Sequence, residues 1–204
     1  MYIYVKRVFD LLLSLLALIV LSPLLLALAV IIRVTSPGPV FFMQKRVGIH
    51  KTHFMIFKFR TMRTDAPKDQ PTHLLKNPDA FITPVGRFLR KYSLDELPQL
   101  LNIVRGDMAV VGPRPALWNQ FDLIAERDKY GANDVLPGLT GWAQINGRDE
   151  LEIPVKAKLD GEYAQNISFL FDCRCFFGTV RSVLKHDGVV EGGTGELHKR
   201  DEEK

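Results

Sequence analysis

Two adjacent carboxylates, Asp95 and Glu96, stand in the stretch Ser93-Leu94-Asp95-Glu96-Leu97-Pro98-Gln99-Leu100, with Arg90 and Lys91 just upstream. That grouping suits a divalent metal together with a phosphate. A hard cation takes carboxylate oxygens, and basic side chains grip phosphate oxygens. The same residues also have a purely structural reading: Ser93 with Glu96 three positions on is a capping box, and acids favour a first helical turn. Pro98 speaks against it, because a proline beyond the first turn disturbs a helix that starts at Ser93. Further along, Gly112-Pro113-Arg114-Pro115 follows an expected strand over 108–111. Pro137-Gly138-Leu139-Thr140-Gly141 and Asn146-Gly147-Arg148 then bracket Trp142 to Ile145. Glycines let backbone amides approach an anion, and arginines hold phosphate in a fork. Together these segments place fixed arginines on loops beside an acidic pair.

Other chemistries lack their residues. There is no Walker A sequence, G-x-G-x-x-G, H-E-x-x-H or C-x-x-C. His50 and His53 have no third partner in the pattern and read as ordinary surface or core residues rather than metal ligands. Cys173 and Cys175 cannot form a disulfide framework, so reduced thiols in a cytosol-facing chain are expected. A formal net charge of +4 over 204 residues does not by itself imply nucleic acid, and no nucleic-acid partner is expected.

The elements that must hold such a site start with an apolar leader. Leu11 to Ile32 is 22 residues without a charge, long enough at ~1.5 Å per residue to match one hydrocarbon core. A cleaved signal fits poorly, since Ala27-Leu28-Ala29 lies inside the run rather than after it. Pro23 sits near the middle, preceded by Ser22, and cannot donate to the Ile19 carbonyl. Lys6 and Arg7 precede the run, and Arg33, Lys45, Arg46, Lys51, Lys58, Arg60 and Arg63 follow it. No acid occurs between Asp10 and Asp65. Positive charge marks the cytoplasmic side, and both flanks carry it. A re-entrant helix-break-helix satisfies both flanks; a straight span with a kinked middle is the alternative.

The rest reads as one mixed domain. Val40-Phe41-Phe42 and Phe54-Met55-Ile56-Phe57 are expected strands around a turn at Gly48, and residues 64–80 an expected long loop. Val85, Phe88, Leu89 and Tyr92 recur at helical spacing among basic residues. So do Phe169, Cys173, Phe176, Phe177, Val180, Val183 and Leu184. Each stripe either faces a core or lies in a membrane interface.

From about Lys6 to about Gly188 the chain resembles the small monotopic phosphoglycosyl transferases of the bacterial sugar transferase family. The resemblance is carried by Lys6-Arg7 with Asp10, Ser22-Pro23, Lys58-Phe59-Arg60-Thr61-Met62, the Asp95-Glu96 stretch and the three Gly-containing segments quoted above. It implies transfer of a sugar 1-phosphate from a UDP-sugar to polyprenol (undecaprenyl) phosphate, with release of UMP, at the cytoplasmic face of the bacterial inner membrane. It also implies Mg²⁺ as cofactor, the bilayer as a partner, and downstream glycosyltransferases that extend the lipid-linked glycan. In that likeness Asp95 is the nucleophile, and Glu96 with Asp95 holds the metal. Lys58, Arg90 and Asp160 organise active-site charge; Arg114, Arg148, Pro113 and Arg60 bind substrate; Ser22-Pro23 breaks the membrane hairpin. Asp160-Gly161-Glu162-Tyr163 departs from the aromatic-rich pattern of the family. The segment Pro115 to Gln120 is similar to capsule-type and O-antigen-type initiators, which leans the sugar toward an N-acetylated amino sugar, 6-deoxy forms included.

The expected fold class is therefore α+β. Residues 1–35 form the re-entrant membrane helix, 36–187 a small cytosolic catalytic domain of short strands and interfacial helices, and 188–204 a flexible charged tail. Two other functions stay open at this point. In one, lipid phosphate attacks the UDP-sugar directly and Asp95 is only a metal ligand. In the other, the chain is a basic lipid-binding module in which Asp95 and Glu96 merely cap a helix.

Overall fold

The computed structural model describes residues 2–67, 78–147 and 151–185. Part of the expected 64–80 loop, Arg148 and the tail 188–204 lie outside the described residues. In chain order the elements are α1 (Tyr2–Thr35), β1 (Phe41–Val47), β2 (His53–Phe59), α2 (Pro84–Lys91), α3 (Gln99–Arg105) and β3 (Ala109–Val111). They continue with α4 (Phe121–Asp128), β4 (Gly138–Thr140), α5 (Trp142–Ile145), α6 (Ile153–Gln165) and α7 (Phe169–Lys185). The α+β mixture is present: one long apolar helix, then short strands and short helices.

α1 is one element with Pro23 inside it, not two limbs separated by a loop. The Ser22 hydroxyl donates to the Ile19 carbonyl at 2.7 Å, the acceptor that Pro23 cannot serve. The inward face carries Lys6, Asp10, Ser14, Leu28 and Ile32, all buried. Between them Ala17, Leu18 and Leu21 pack on a core of Ile56, Leu100, Ile103, Met108, Val110, Val111, Tyr163 and Cys175. Leu28 and Ile32 join a second core with Phe59 and Leu89. Both ends of α1 are therefore tied to the same globular body. At its start, Tyr2 and Lys6 reach Asp172 at 2.6 and 2.9 Å, and Arg7 donates to the Ile103 and Met108 carbonyls. At its end, Arg60 donates to the Ser36 and Pro37 carbonyls. The outward face exposes Val8, Phe9, Leu12, Leu16, Ile19, Val20, Leu26 and Val30. A contiguous apolar surface of this kind belongs against lipid or a partner rather than water.

β1 and β2 pair antiparallel, from Phe41 opposite Phe59 to Val47 opposite His53. The turn between them carries His50 and Lys51 at φ of 51° and 59°. His50 meets Asp134 on the surface at 3.1 Å. β3 and β4 pair in parallel, Ala109 with Gly138 and Val111 with Thr140. The glycines here serve packing rather than anion binding. A Cβ on Gly138 would stand 2.1 Å from the Gly112 nitrogen, and the Gly112 and Gly138 amides already donate to Thr140 and Pro113 carbonyls. The expected anion cradle at these turns is thus a backbone junction.

α4, α5 and α6 escape the periodicity argument. The buried residues of α4 are Leu123 and the charged Arg127, which make no apolar stripe, and α5 spans only 4 residues, too short for one. α6 carries Gly161 in its interior, at a cost of ~1 kcal/mol against alanine. Tyr130 requires that glycine, since a Cβ there would lie 2.3 Å from the Tyr130 Cβ. α7 forms as expected, but its aromatic stripe faces outward: Phe169, Leu170, Phe176, Phe177 and Val180 are exposed, while Asp172 and Cys175 are buried. That favours the interfacial reading of this helix over the core-facing one.

Candidate active site

The acidic pair sits in a short 3₁₀ turn, Leu94–Glu96, between α2 and α3. Ser93 turns the chain with a left-handed φ of 54° and makes no side-chain cap, so the capping box does not form. Pro98 instead occupies the N-terminal boundary of α3, where its missing N–H costs nothing. Gly106, at φ of 99°, ends that helix. The turn aims Glu96 between two cations from other elements. Lys58 Nζ of β2 donates to Glu96 Oε1 at 2.7 Å. Arg114, on the loop after β3, donates to Oε1 at 2.6 Å and to Oε2 at 3.3 Å.

Asp95 is buried, and among the described residues nothing hydrogen-bonds its carboxylate. Burial, followed by the charge of Glu96, pushes its pKa up to about 6 against the pull of Lys58, Arg90 and Arg114. Burial also opposes ionisation of Glu96, but Arg114 and Lys58 outweigh it and hold that carboxyl well below the ordinary range. The Lys58 ammonium is lowered by burial, with Glu96 acting against the shift. Neighbouring acids thus have different states: Glu96 is a fixed anion inside an ion-pair clasp, and Asp95 is an unclaimed carboxylate next to it. Three cations facing two carboxylates leave the site net positive, as a diphosphate would require.

Arg90 is placed by α2, whose Thr83 hydroxyl accepts from the Gly86 amide at the helix start. Gly86 allows the helix to lie on Thr61, whose carbonyl oxygen would stand 2.0 Å from a Cβ there. Arg90 Nε then donates to Thr61 Oγ1 at 2.9 Å.

The structure gathers Asp95, Glu96, Lys58, Arg90 and Arg114, from four separate stretches of chain. Pro113 lies buried beside Arg114, its carbonyl accepting from Gly138. Asp160 stands one step back, paired with Arg127. Arg60 is committed to the end of α1 rather than to the acidic pair. Arg148 lies outside the described residues. Nothing in the sequence singles out Arg127, because Glu126-Arg127-Asp128 has the composition of a solvated charged run.

Among the described residues no group of three or more His, Cys, Asp or Glu gathers as a self-contained metal cage. Two adjacent carboxylates nonetheless fit Mg²⁺, which is commonly held by one or two carboxylates plus substrate phosphates and water.

Comparison with known proteins identifies the family. The model of the bacterial sugar transferase family matches residues 1–186. The uncharacterized sugar transferase EpsL of Bacillus subtilis is 41% identical over 186 residues, covering 91% of this chain and 90% of that protein. The exopolysaccharide production protein ExoY of Rhizobium meliloti is 37% identical, covering 90% and 87%. The undecaprenyl-phosphate glucose phosphotransferase of Komagataeibacter xylinus is 40% identical over 86% of this chain, which spans only 35% of that longer protein. Since the match takes in α1 as well as every element that carries the acidic pair and its cations, the chain belongs to the bacterial sugar transferase family.

Proposed function

We propose that the protein transfers a sugar 1-phosphate from a UDP-sugar to undecaprenyl phosphate, releases UMP, and thereby starts assembly of a lipid-linked glycan such as an exopolysaccharide. The names of relatives support this, among them a UDP-glucose:undecaprenyl-phosphate glucose-1-phosphate transferase of Escherichia coli and the Komagataeibacter enzyme. The observation that carries the reading is the contrast within the acidic pair. Glu96 is neutralised by Lys58 and Arg114, whereas the buried Asp95 carboxylate has no hydrogen-bond partner to displace before it attacks.

The chemistry runs in two displacements. An Asp95 oxygen attacks the β-phosphorus of the UDP-sugar, the bond from that phosphorus to the bridging oxygen breaks, and UMP leaves with the bridging oxygen. An oxygen of undecaprenyl phosphate then attacks the same phosphorus, and the bond to Asp95 breaks. A polyprenyl diphosphosugar forms and the carboxylate is regenerated. The bond from the anomeric carbon to oxygen stays intact, so configuration is kept. Arg114, Lys58 and Arg90 offset phosphate charge in a poorly solvated site, where fixed charges act strongly. Mg²⁺, held by Asp95 and Glu96, would add charge neutralisation at the diphosphate.

A re-entrant α1 fits the same reading. Its inward face rests on the globular body from Lys6 to Ile32, so a straight span that carried Tyr2 to the far side of the bilayer would break those contacts. The outward apolar faces of α1 and α7 support a seat in the membrane, and in this reading the transfer takes place at the cytoplasmic leaflet. Relatives are named for glucose, galactose and N-acetylgalactosamine, so the sugar is to be settled by a donor panel.

The test is a single turnover. UDP-sugar without lipid acceptor should release about one UMP per enzyme and leave one phosphosugar on the peptide that contains Asp95. Asp95→Asn should show neither. An active enzyme that forms no adduct and releases UMP only when lipid is added would establish direct transfer instead. No UMP release from any UDP-sugar, with or without lipid, would leave the lipid-binding module.

A further inference from the structure

Four successive carbonyls of the Arg114 loop are each held from outside it. Pro113 O accepts from the Gly138 amide at 2.8 Å, Arg114 O from Arg127 Nη2 at 2.9 Å, Pro115 O from Arg46 Nη1 at 3.0 Å, and Ala116 O from the Val47 amide at 2.9 Å. Pro113 and Pro115 have fixed φ and no N–H, so carbonyls are the handles by which their peptide units can be gripped. The grip at Arg114 itself has the longest chain of support. Arg127 of α4 sends Nε and Nη2 to Asp160 Oδ2 of α6, at 2.9 and 2.5 Å, and the same Nη2 to the Arg114 carbonyl. Both side chains are almost sealed from water, at 4% and 1% exposure. A buried pair of this kind is a costly way to gain stability, since replacement by apolar residues is often neutral or better. Its fork geometry, in contrast, fixes position.

We propose that Arg127, held by Asp160, is a positioning residue that sets the Arg114 backbone so that the Arg114 guanidinium meets Glu96 beside Asp95. Asp160 then acts only through Arg127 and Arg114 and touches no substrate. The inference rests on the transferase reading for its kinetic part and on geometry alone for the rest.

The experiment is a mutant cycle on the full chain in lipid nanodiscs, read as kcat and KM for UMP release and as the ¹⁵N signal of the Arg114 Nε–H. That signal is assigned by its loss in Arg114→Gln. Arg127→Lys keeps a cation for Asp160 but loses the fork that also reaches Arg114. It is expected to lower kcat ~10- to 100-fold, the scale on which small misplacements act. In the Arg114→Gln background the same change should cost less than about twofold, because the group it positions is gone. The Arg114 Nε–H signal should shift and broaden in Arg127→Lys. Equal losses in both backgrounds, or an unchanged signal, would overturn the proposal. If Arg127→Lys fails to fold, Asp160→Asn, which keeps an acceptor oxygen for Arg127, takes its place. Failure of both to fold would assign the pair to fold stability and overturn positioning. An inactive wild-type chain would refute the transferase reading, while the Arg114 signal would still decide this one.

Discussion

At the scale of single residues, the two acids of the pair should respond in opposite directions to loss of charge. Asp95 has its carboxyl pushed up to about 6 by burial, so folding disfavours its ionised form. For an acid raised in this way, the favourable contribution is present below the unfolded pKa and is lost as pH rises through the folded one. In chelator-treated protein, Asp95→Asn should therefore melt a few degrees above wild type at pH 7, at ~2–4 °C per kcal/mol for a chain of this size. The gap should shrink as pH is lowered from 6 to 4, and calorimetry across that range checks it. Activity, by contrast, should be lost. Glu96→Gln breaks a partly buried clasp and leaves Lys58 and Arg114 facing each other without an anion. It should lower the melting temperature and abolish turnover. A Glu96→Gln protein as stable and active as wild type would remove Glu96 from the site. The pair was legible in the sequence as adjacent carboxylates among basic residues. Which acid is clasped and which is unclaimed was not, because both cations come from distant segments.

At the scale of elements, α1 decides how the chain meets the membrane. Pro23 removes one backbone donor inside the helix and Ser22 serves the Ile19 carbonyl that this leaves open, a need that lipid makes acute. Tyr2, Lys6 and Arg7 fasten the start of the helix to α7, α3 and the segment before β3. Single cysteines at the exposed positions Ile3 and Pro39, with Cys173 and Cys175 replaced by alanine, should both react only from the cytoplasmic side. Reaction of the Ile3 probe from the periplasm would show a through-going span. Ser22→Ala with Pro23→Ala restores a continuous hydrogen-bond ladder and should move the Ile3 probe toward periplasmic labelling. For α7, Phe169 and Phe177 are 61% and 67% exposed, so replacing both by serine should weaken membrane retention and leave thermal stability nearly unchanged. Flotation and a melting curve measure the two effects separately. The aromatic stripe of α7 was visible in the sequence, but its outward direction was not. Asp172 and Cys175 fill the inward positions, and polar residues there hide the core face from a hydrophobic pattern.

At the scale of the whole molecule, the proposed transfer brings a water-soluble donor and a bilayer-confined acceptor to one carboxylate by different routes. A covalent relay lets one pocket serve them in turn, and initial-rate plots against the two substrates should be parallel, as in ping-pong kinetics. Intersecting lines would indicate a ternary complex. Chelator should abolish turnover and Mg²⁺ should restore it, with UMP release as the readout; full activity in chelator would remove the metal from this account.

The sequence by itself determined the apolar leader, its flanking charges and proline, the β-hairpin around Gly48 and the acidic pair with its nearby arginines. These rest on local facts: a run without charge, alternation over a few residues, or neighbours in the chain. Only the tertiary structure decided that Lys58 and Arg114 converge on Glu96, that Arg60 serves the end of α1, and that Gly112 and Gly138 pack a parallel junction instead of cradling an anion. Only the tertiary structure showed Arg127 joining Asp160 to the Arg114 backbone. The physical reason is the same each time. Hydrogen bonds and ion pairs across 13 to 38 residues of chain depend on how helices and strands pack, and packing leaves no periodic mark on the residues it brings together.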